Sequence, residues 1–208
     1  MVYPPYKALV KSDLFRYTGT YSFQGLTRHI IQTPGFKYTV VMRAAARTRA
    51  KGRLALPLHV MARYLLHRLE RTYGISIPYN TQIGFGLYIG HFGGIVVSYE
   101  AIIGRNCNIN HGVTIGATYG GRYPGVPRIG NNVYLGPGSK IIGGIVIGNN
   151  VAVGANAVVT TSVPDNAVVI GVPGRVASFN GSFDYVNNTV GEDGLPAPLE
   201  AVLTRASG

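Results

Sequence analysis

Between Ile83 and Val159 aliphatic side chains recur every six residues: Ile83, Ile89, Ile95; Ile103, Ile109, Ile115; and Ile129, Leu135, Ile141, Ile147, Val153, Val159. A second, compact position falls four residues after the aliphatic one and holds Cys107, Val113, Val133, Ser139, Val151, Ala157 and Val163. Both positions point inward, and side chains this small suit a narrow triangular core. Segments this short cannot bury an apolar face alone, so they are expected to stack into a parallel β-solenoid. An ordinary buried parallel sheet needs crossover helices between strands, and the stretch from 83 to 159 leaves no room for them. The Gly or Asn that follows each aliphatic residue reads as a corner where the backbone takes φ > 0.

The six-residue spacing breaks twice. The interval from Ile95 to Ile103 is eight, a two-residue corner insertion around Tyr99 and Glu100. The interval from Ile115 to Ile129 is 14, and residues 117–128 have loop composition, the setting in which function usually sits on a solenoid. Residues 1–74 read as short helices. Thr33-Pro34 caps and opens one that runs toward Lys51 and stops at Gly52; Pro57 opens another that ends at Gly74, with Leu58, Met61, Leu65 and Leu69 sharing a face; a weaker one covers Phe23 to Gln32. The organisation is therefore a basic helical region (1–74), a mainly β solenoid (75–178) and a polar, acidic tail (179–208) expected to be loosely ordered.

Charge sharpens this division. Residues 1–74 hold 13 Lys+Arg against 2 Asp+Glu, whereas residues 75–178 hold 5 against 2 and residues 179–208 hold 1 against 4. The basic character thus belongs to the helices, where Arg43, Arg47, Arg49, Lys51 and Arg53 crowd one helix end. Two readings stand side by side, a solvated helical face and a surface for an anionic membrane or polyanionic polymer. No nucleic-acid motif accompanies it, and no nucleic acid is expected. The single Cys107 fits a reducing cytoplasm and occupies an inward slot, as a packing residue rather than a nucleophile. The N-terminus lacks the apolar region of a signal peptide, and no run reaches the ~18 apolar residues of a membrane span. A cytoplasmic location is expected, extended to the inner membrane face if the basic helices dock there.

The solenoid contains two histidines, His91 and His111, each two residues after its hexapeptide aliphatic. Equivalent positions in successive coils stack about 4.8 Å apart, so the imidazoles should be neighbours on one corner, immediately before the 117–128 loop. The pair reads as a neutral general base with a companion, or as two unrelated surface histidines. As a metal site it lacks any nearby Cys, Asp or Glu to complete the ligand set, and no metal is expected.

Here the stretches 86–97, 103–116 and Gly171-Val-Pro-Gly-Arg175 resemble the hexapeptide-repeat acyltransferases, in the branch with serine acetyltransferases and capsular or exopolysaccharide O-acetyltransferases. The resemblance implies a left-handed parallel β-helix, a homotrimer or dimer of trimers, and acetyl-CoA as donor. It places His91 on the family's catalytic histidine, and His111, in a slot where polysaccharide O-acetyltransferases often carry histidine, is expected as an auxiliary base or orienting group. Thr114, Gly136 and Ala155 fall on the pantetheine groove, and Lys140 and Arg175 are candidates for the phosphate or adenine end. Arg122 and Tyr123, in the 117–128 loop, are expected to shape the acceptor pocket. Serine acetyltransferases carry carboxylates where this chain has Gly90 and Ser76. A saccharide hydroxyl of a surface polysaccharide is therefore the expected acceptor, with serine O-acetylation the alternative and a non-catalytic scaffold the alternative outside enzymes.

Overall fold

The computed structural model describes residues 4–197. Residues 75–170 wind into a parallel solenoid with three sheets. Sheet A stacks β1 (Ile75–Ser76), β4 (Ile95–Val97), β7 (Thr114–Gly116), β10 (Lys140–Ile142) and β13 (Val158–Val159). Sheet B stacks β2 (Gln82–Ile83), β5 (Ile102–Ile103), β8 (Arg128–Ile129) and β11 (Val146–Ile147). Sheet C stacks β3 (Tyr88–Ile89), β6 (Asn108–Ile109), β9 (Tyr134–Leu135), β12 (Ala152–Val153) and β14 (Val168–Ile170). A final antiparallel strand, β15 (Arg175–Ser178), folds back on β14 and ends sheet C. The hexapeptide aliphatics register on one another from coil to coil, as in Ile89↔Ile109↔Leu135 and Ile103↔Ile129↔Ile147. All are buried except Ile83, which is half-buried, and the compact second positions from Cys107 to Val163 are buried too.

The corners differ from expectation in an instructive way. The glycines directly after the aliphatics have ordinary φ; positive φ falls two residues further on, at Gly86, Asn106, Gly112, Asn132, Gly138, Asn150 and Asn156. Glycine is needed directly after the aliphatic for a different reason, the close approach of successive coils. A Cβ on Gly104 would lie 2.5 Å from the Gly130 carbonyl oxygen, and one on Gly130 would lie 2.6 Å from that of Gly148. The left-handed asparagines stack as an amide ladder: Asn106 Nδ2 donates to Asn132 Oδ1 (2.9 Å), Asn132 to Asn150 (2.9 Å) and Asn150 to Asn166 (3.0 Å). Asparagine tolerates this region, and its amide, donor and acceptor at once, pairs with the amide of the next coil.

The N-terminal region forms α1 (Tyr6–Thr18), α2 (Phe23–Gln32), α3 (Pro34–Ala50), a 3-10 turn η1 (Gly52–Ala55) and α4 (Leu56–Tyr73). The stops at Gly52 and Gly74 hold, with both glycines at positive φ. These helices seal the first coil. The Tyr17 hydroxyl accepts from the Ile89 N–H (2.9 Å) and donates to the Ile89 carbonyl (3.1 Å), and Tyr38 does the same for Ile77 (3.0 and 2.9 Å). Each hydroxyl thereby satisfies backbone groups that a missing neighbouring strand would have taken.

A buried ion pair bolts the layers together. Arg43 grips Asp13 through two nitrogens (3.0 and 3.1 Å) and donates to the carbonyls of Ile83 and Gly84, while Asp13 accepts from Leu87 N–H (2.8 Å). Arg43 is therefore a structural residue and no part of the exposed cationic cluster.

Two further expectations change. The shared face of Leu58, Met61 and Leu65 points to solvent, while Ala62 and Leu66 face the core and Leu69 is partly buried. Residues 179–197 of the tail pack along the solenoid. Val190 and Asn106 exchange two 2.9 Å hydrogen bonds, Tyr185 stacks on Tyr134 (4.6 Å), Ser182 donates to the Asn132 carbonyl, and Arg16 donates to the Asn187 carbonyl (2.8 Å). The remainder of the tail lies outside the described residues.

Candidate active site

His91 and His111 project from the corner between sheets C and A. The β3–β6 register carries them onto one another, and their rings meet edge to face with centroids 5.9 Å apart. Both are exposed, and among the described residues neither ring nitrogen has a hydrogen-bond partner. Gly112, at φ 70°, turns the chain directly after His111, and Gly93 and Gly94 do so after His91. The strand beneath is fixed by the Tyr17 hydroxyl at Ile89 and by Gly35 of α3, where a Cβ would lie 2.4 Å from the Ile89 carbonyl. The corner thus offers two accessible imidazoles on a rigid base.

The same corner continues down the solenoid. Two residues past each sheet C aliphatic come His91, His111, Pro137 and Ala155 in turn, and the antiparallel turn bearing Arg175 closes the column. On sheet A beside it, Ser76, Val96, Thr114, Lys140 and Val158 register across successive strands. Ala155 and Arg175 are exposed, Thr114 and Lys140 half-exposed, and Gly136 is buried beneath. The Lys140 ammonium donates to the Gly112 carbonyl, so one of its three N–H groups is already committed to the corner of His111. The expected donor-binding residues therefore lie along one continuous edge below the histidines.

Arg122 and Tyr123 are elsewhere. Their loop leaves from the corner between sheets A and B, so β7 separates it from the histidines of the same chain. The loop is closed by paired backbone bonds between Thr118 and Gly125 (2.8 and 3.0 Å), and the Tyr123 carbonyl accepts from Gly144 (2.8 Å). Arg122 lies over the Tyr123 ring (5.3 Å), and with Thr118, Ile142, Thr160 and Thr161 they line an open cavity of about 310 Å³. The counting that placed the loop beside the histidines fails because the loop follows the next strand, on the next corner. Glu100, to which Tyr99 donates (3.0 Å), occupies the same A–B corner one coil earlier; only the eight-residue interval signalled it. Of the positions lacking the expected carboxylates, Ser76 tops the sheet A row. A Cβ on Gly90 would meet the Tyr88 ring at 3.0 Å. No cluster of three potential metal-ligating side chains occurs among the described residues.

A coiled stack of hexapeptides with a paired-histidine corner defines a class, the hexapeptide transferases. Residues 127–161 match the family model for bacterial transferase hexapeptide (six repeats). The serine acetyltransferase of Synechococcus elongatus is 41% identical over 121 residues, which cover 57% of this chain and 49% of that protein. The chain thus spans about half the length of this relative. Among solved structures, soybean serine acetyltransferase superposes with a TM-score of 0.68 at 30% identity, covering 83% of this chain and 69% of that one. The serine acetyltransferase of Brucella abortus in complex with coenzyme A gives 0.67 at 29%, covering 83% and 66%.

The chain belongs to the hexapeptide-repeat acyltransferase family. These relatives overturn the saccharide acceptor expected from the sequence and back the serine alternative instead. The saccharide reading rested on two missing carboxylates, and an absent side chain at one position leaves open what another corner of the solenoid presents.

Proposed function

We propose that the chain is an acetyl-CoA-dependent serine O-acetyltransferase. The observation that carries this reading is the exposed His91–His111 pair heading a track of Thr114, Lys140, Ala155 and Arg175. In the proposed reaction His91 removes the proton of the serine hydroxyl as that oxygen attacks the thioester carbonyl. The tetrahedral oxyanion is met by backbone N–H groups of the corner. Collapse breaks the C–S bond, and the imidazolium returns its proton to the departing thiolate. His111, in edge contact, orients His91 and acts as the auxiliary base. Thr114, Ala155 and the backbone at Gly136 flank the pantetheine arm, and Lys140 and Arg175 serve the phosphate end.

The site is divided, since the histidines and the Arg122–Tyr123 loop occupy different corners. A homotrimer completes it, with the loop corner of one copy facing the histidine corner of the next. Val96, Val146 and Ile170, about half-exposed on the solenoid, support such packing. Glu100 then supplies the carboxylate for the serine ammonium group. Left-handed winding belongs to the same reading. A thiol-release assay with acetyl-CoA tests it: release should depend on serine. Release that ignores serine, or full activity in His91→Ala, refutes it.

A further inference from the structure

The helical layer carries a second surface that the reaction does not use. From η1 through three turns of α4 large apolar side chains are exposed: Leu54 is 99% exposed, Val60 and Tyr64 59%, and Leu56, Leu58 and Met61 55%. Isolated exposed apolar residues are ordinary, but a contiguous set of this kind marks an interaction surface. Its border is cationic. Arg49, Arg53, Leu56 and His59 line one depression, and Val60, Arg63, Tyr64 and His67 line the next, so charge and apolar surface interleave along the helix. Arg47, Lys51, Arg68 and Arg71 are also exposed, and in residues 33–73 the only acidic side chain is Glu70. No helix among the described residues is long and apolar enough to cross a membrane.

We infer that this face docks on an anionic lipid surface. A helix with an apolar face and arginines along its margins lies in the interfacial plane of a bilayer, its aliphatic side chains in the acyl boundary and its cations at the headgroups. The charge pattern selects this occupant. A polyanion would engage the arginines and leave Leu54, Leu58 and Met61 in water, whereas a bilayer takes both. Met61 and Leu58 are more than half exposed, whereas Ala62 and Leu66 hold α4 on the solenoid, so the first two insert while the packing of the second two is kept.

Flotation of the full chain with two vesicle types tests the inference, using pure phosphatidylcholine and an equal mixture with phosphatidylglycerol. The chain should float with the anionic vesicles, weakly with neutral ones, and less as salt rises. Arg49→Gln with Arg53→Gln should weaken binding about fivefold per cation removed, from the ~1 kcal/mol that each contributes near an anionic surface. Leu54→Asp with Met61→Asp should abolish flotation while leaving the far-UV spectrum and melting temperature unchanged, since both side chains are exposed. Leu195→Asp, at an exposed site in the tail, should float as the parent does. The inference is overturned if the parent fails to float at low salt or floats equally with both vesicle types. It is overturned too if the aspartate pair still floats. A mass in solution that falls with the aspartate pair, without vesicle binding in the parent, assigns the face to a second copy instead. Retention on duplex DNA without flotation assigns the arginines to a polyanion.

Discussion

Replacing Gly104 by alanine tests the stacking of the coils directly. Gly104 has an ordinary φ, so the added methyl carries no conformational penalty there. Its Cβ would lie 2.5 Å from the Gly130 oxygen, 2.7 Å from the Gly130 carbonyl carbon and 2.6 Å from Asn131 Oδ1, where ordinary contact begins at 3.4 Å. The overlap is close to 0.9 Å (3.4 − 2.5) and two of the three atoms are backbone, so no rotamer change relieves it. The coils must part, and the Gly104 N–H bond to Ile129 (2.9 Å) and the Arg105 N–H bond to Asn131 Oδ1 (2.9 Å) stretch with them. Overpacking of this kind costs about 1–3 kcal/mol, and rigid neighbours put Gly104→Ala at about 3 kcal/mol. Gly52 is the control. Its φ is +71° with nothing within 4 Å, so alanine there meets only left-handed strain of about 1 kcal/mol, partly offset by a less flexible unfolded chain. Urea denaturation at one fixed protomer concentration should separate the two variants by about 2–3 kcal/mol. A Gly104→Ala midpoint as mild as that of Gly52→Ala would refute the close-approach account and restore backbone conformation as the role of these glycines.

Asp13→Ala strands Arg43 as a buried, uncompensated charge and should cost about 3–5 kcal/mol by the same assay; a loss below ~1 kcal/mol would show that water reaches the bolt. His91→Ala should lower serine-dependent thiol release by roughly 10²–10⁴ and His111→Ala by less, and the reverse order would exchange their roles. Glu100→Gln should raise KM for serine while leaving KM for acetyl-CoA unchanged; equal effects on both would place Glu100 outside the acceptor pocket. Burial pushes the Cys107 thiol up to about 12, so it should resist alkylation until the chain unfolds. Folding favours the neutral thiol. Its contribution to stability is therefore full below the unfolded value near 9 and declines as pH rises through 9 toward 12, which a Cys107→Ala comparison across that window would read.

The solenoid, its strand register and the stacking of His91 on His111 were legible in the chain because each follows from a short period. Six residues make one side of a coil, and equal phase means equal position. The same arithmetic misplaced two features. It assigned positive φ to the residue after the aliphatic, whereas the turn is made two residues later by Asn106, Asn132 and Asn150. It also set the 117–128 loop beside the histidines, although the loop leaves from the following corner. In the first case the period fixes phase around the coil and says nothing about which atom meets which across it; in the second the phase itself puts the loop one side further on, after Ile115 rather than Ile109.

By itself, the sequence determined that hexapeptides would stack, which side chains would fill the core, and that two imidazoles would share a corner. These are consequences of local periodicity and side-chain size. Only the tertiary structure decided what covers each surface. Helical spacing puts Leu58, Met61 and Leu65 on one face, but the solenoid accepts Ala62 and Leu66 and leaves that face in solvent. Arg43 counts as one more cation in the sequence, but in the fold Asp13, thirty residues away, takes it into the interior. The polar tail lacks an apolar stripe of its own, yet Asn106, Asn132 and Tyr134 offer it hydrogen bonds and a stacking partner. Burial and pairing are properties of two surfaces, and a single segment carries only one of them.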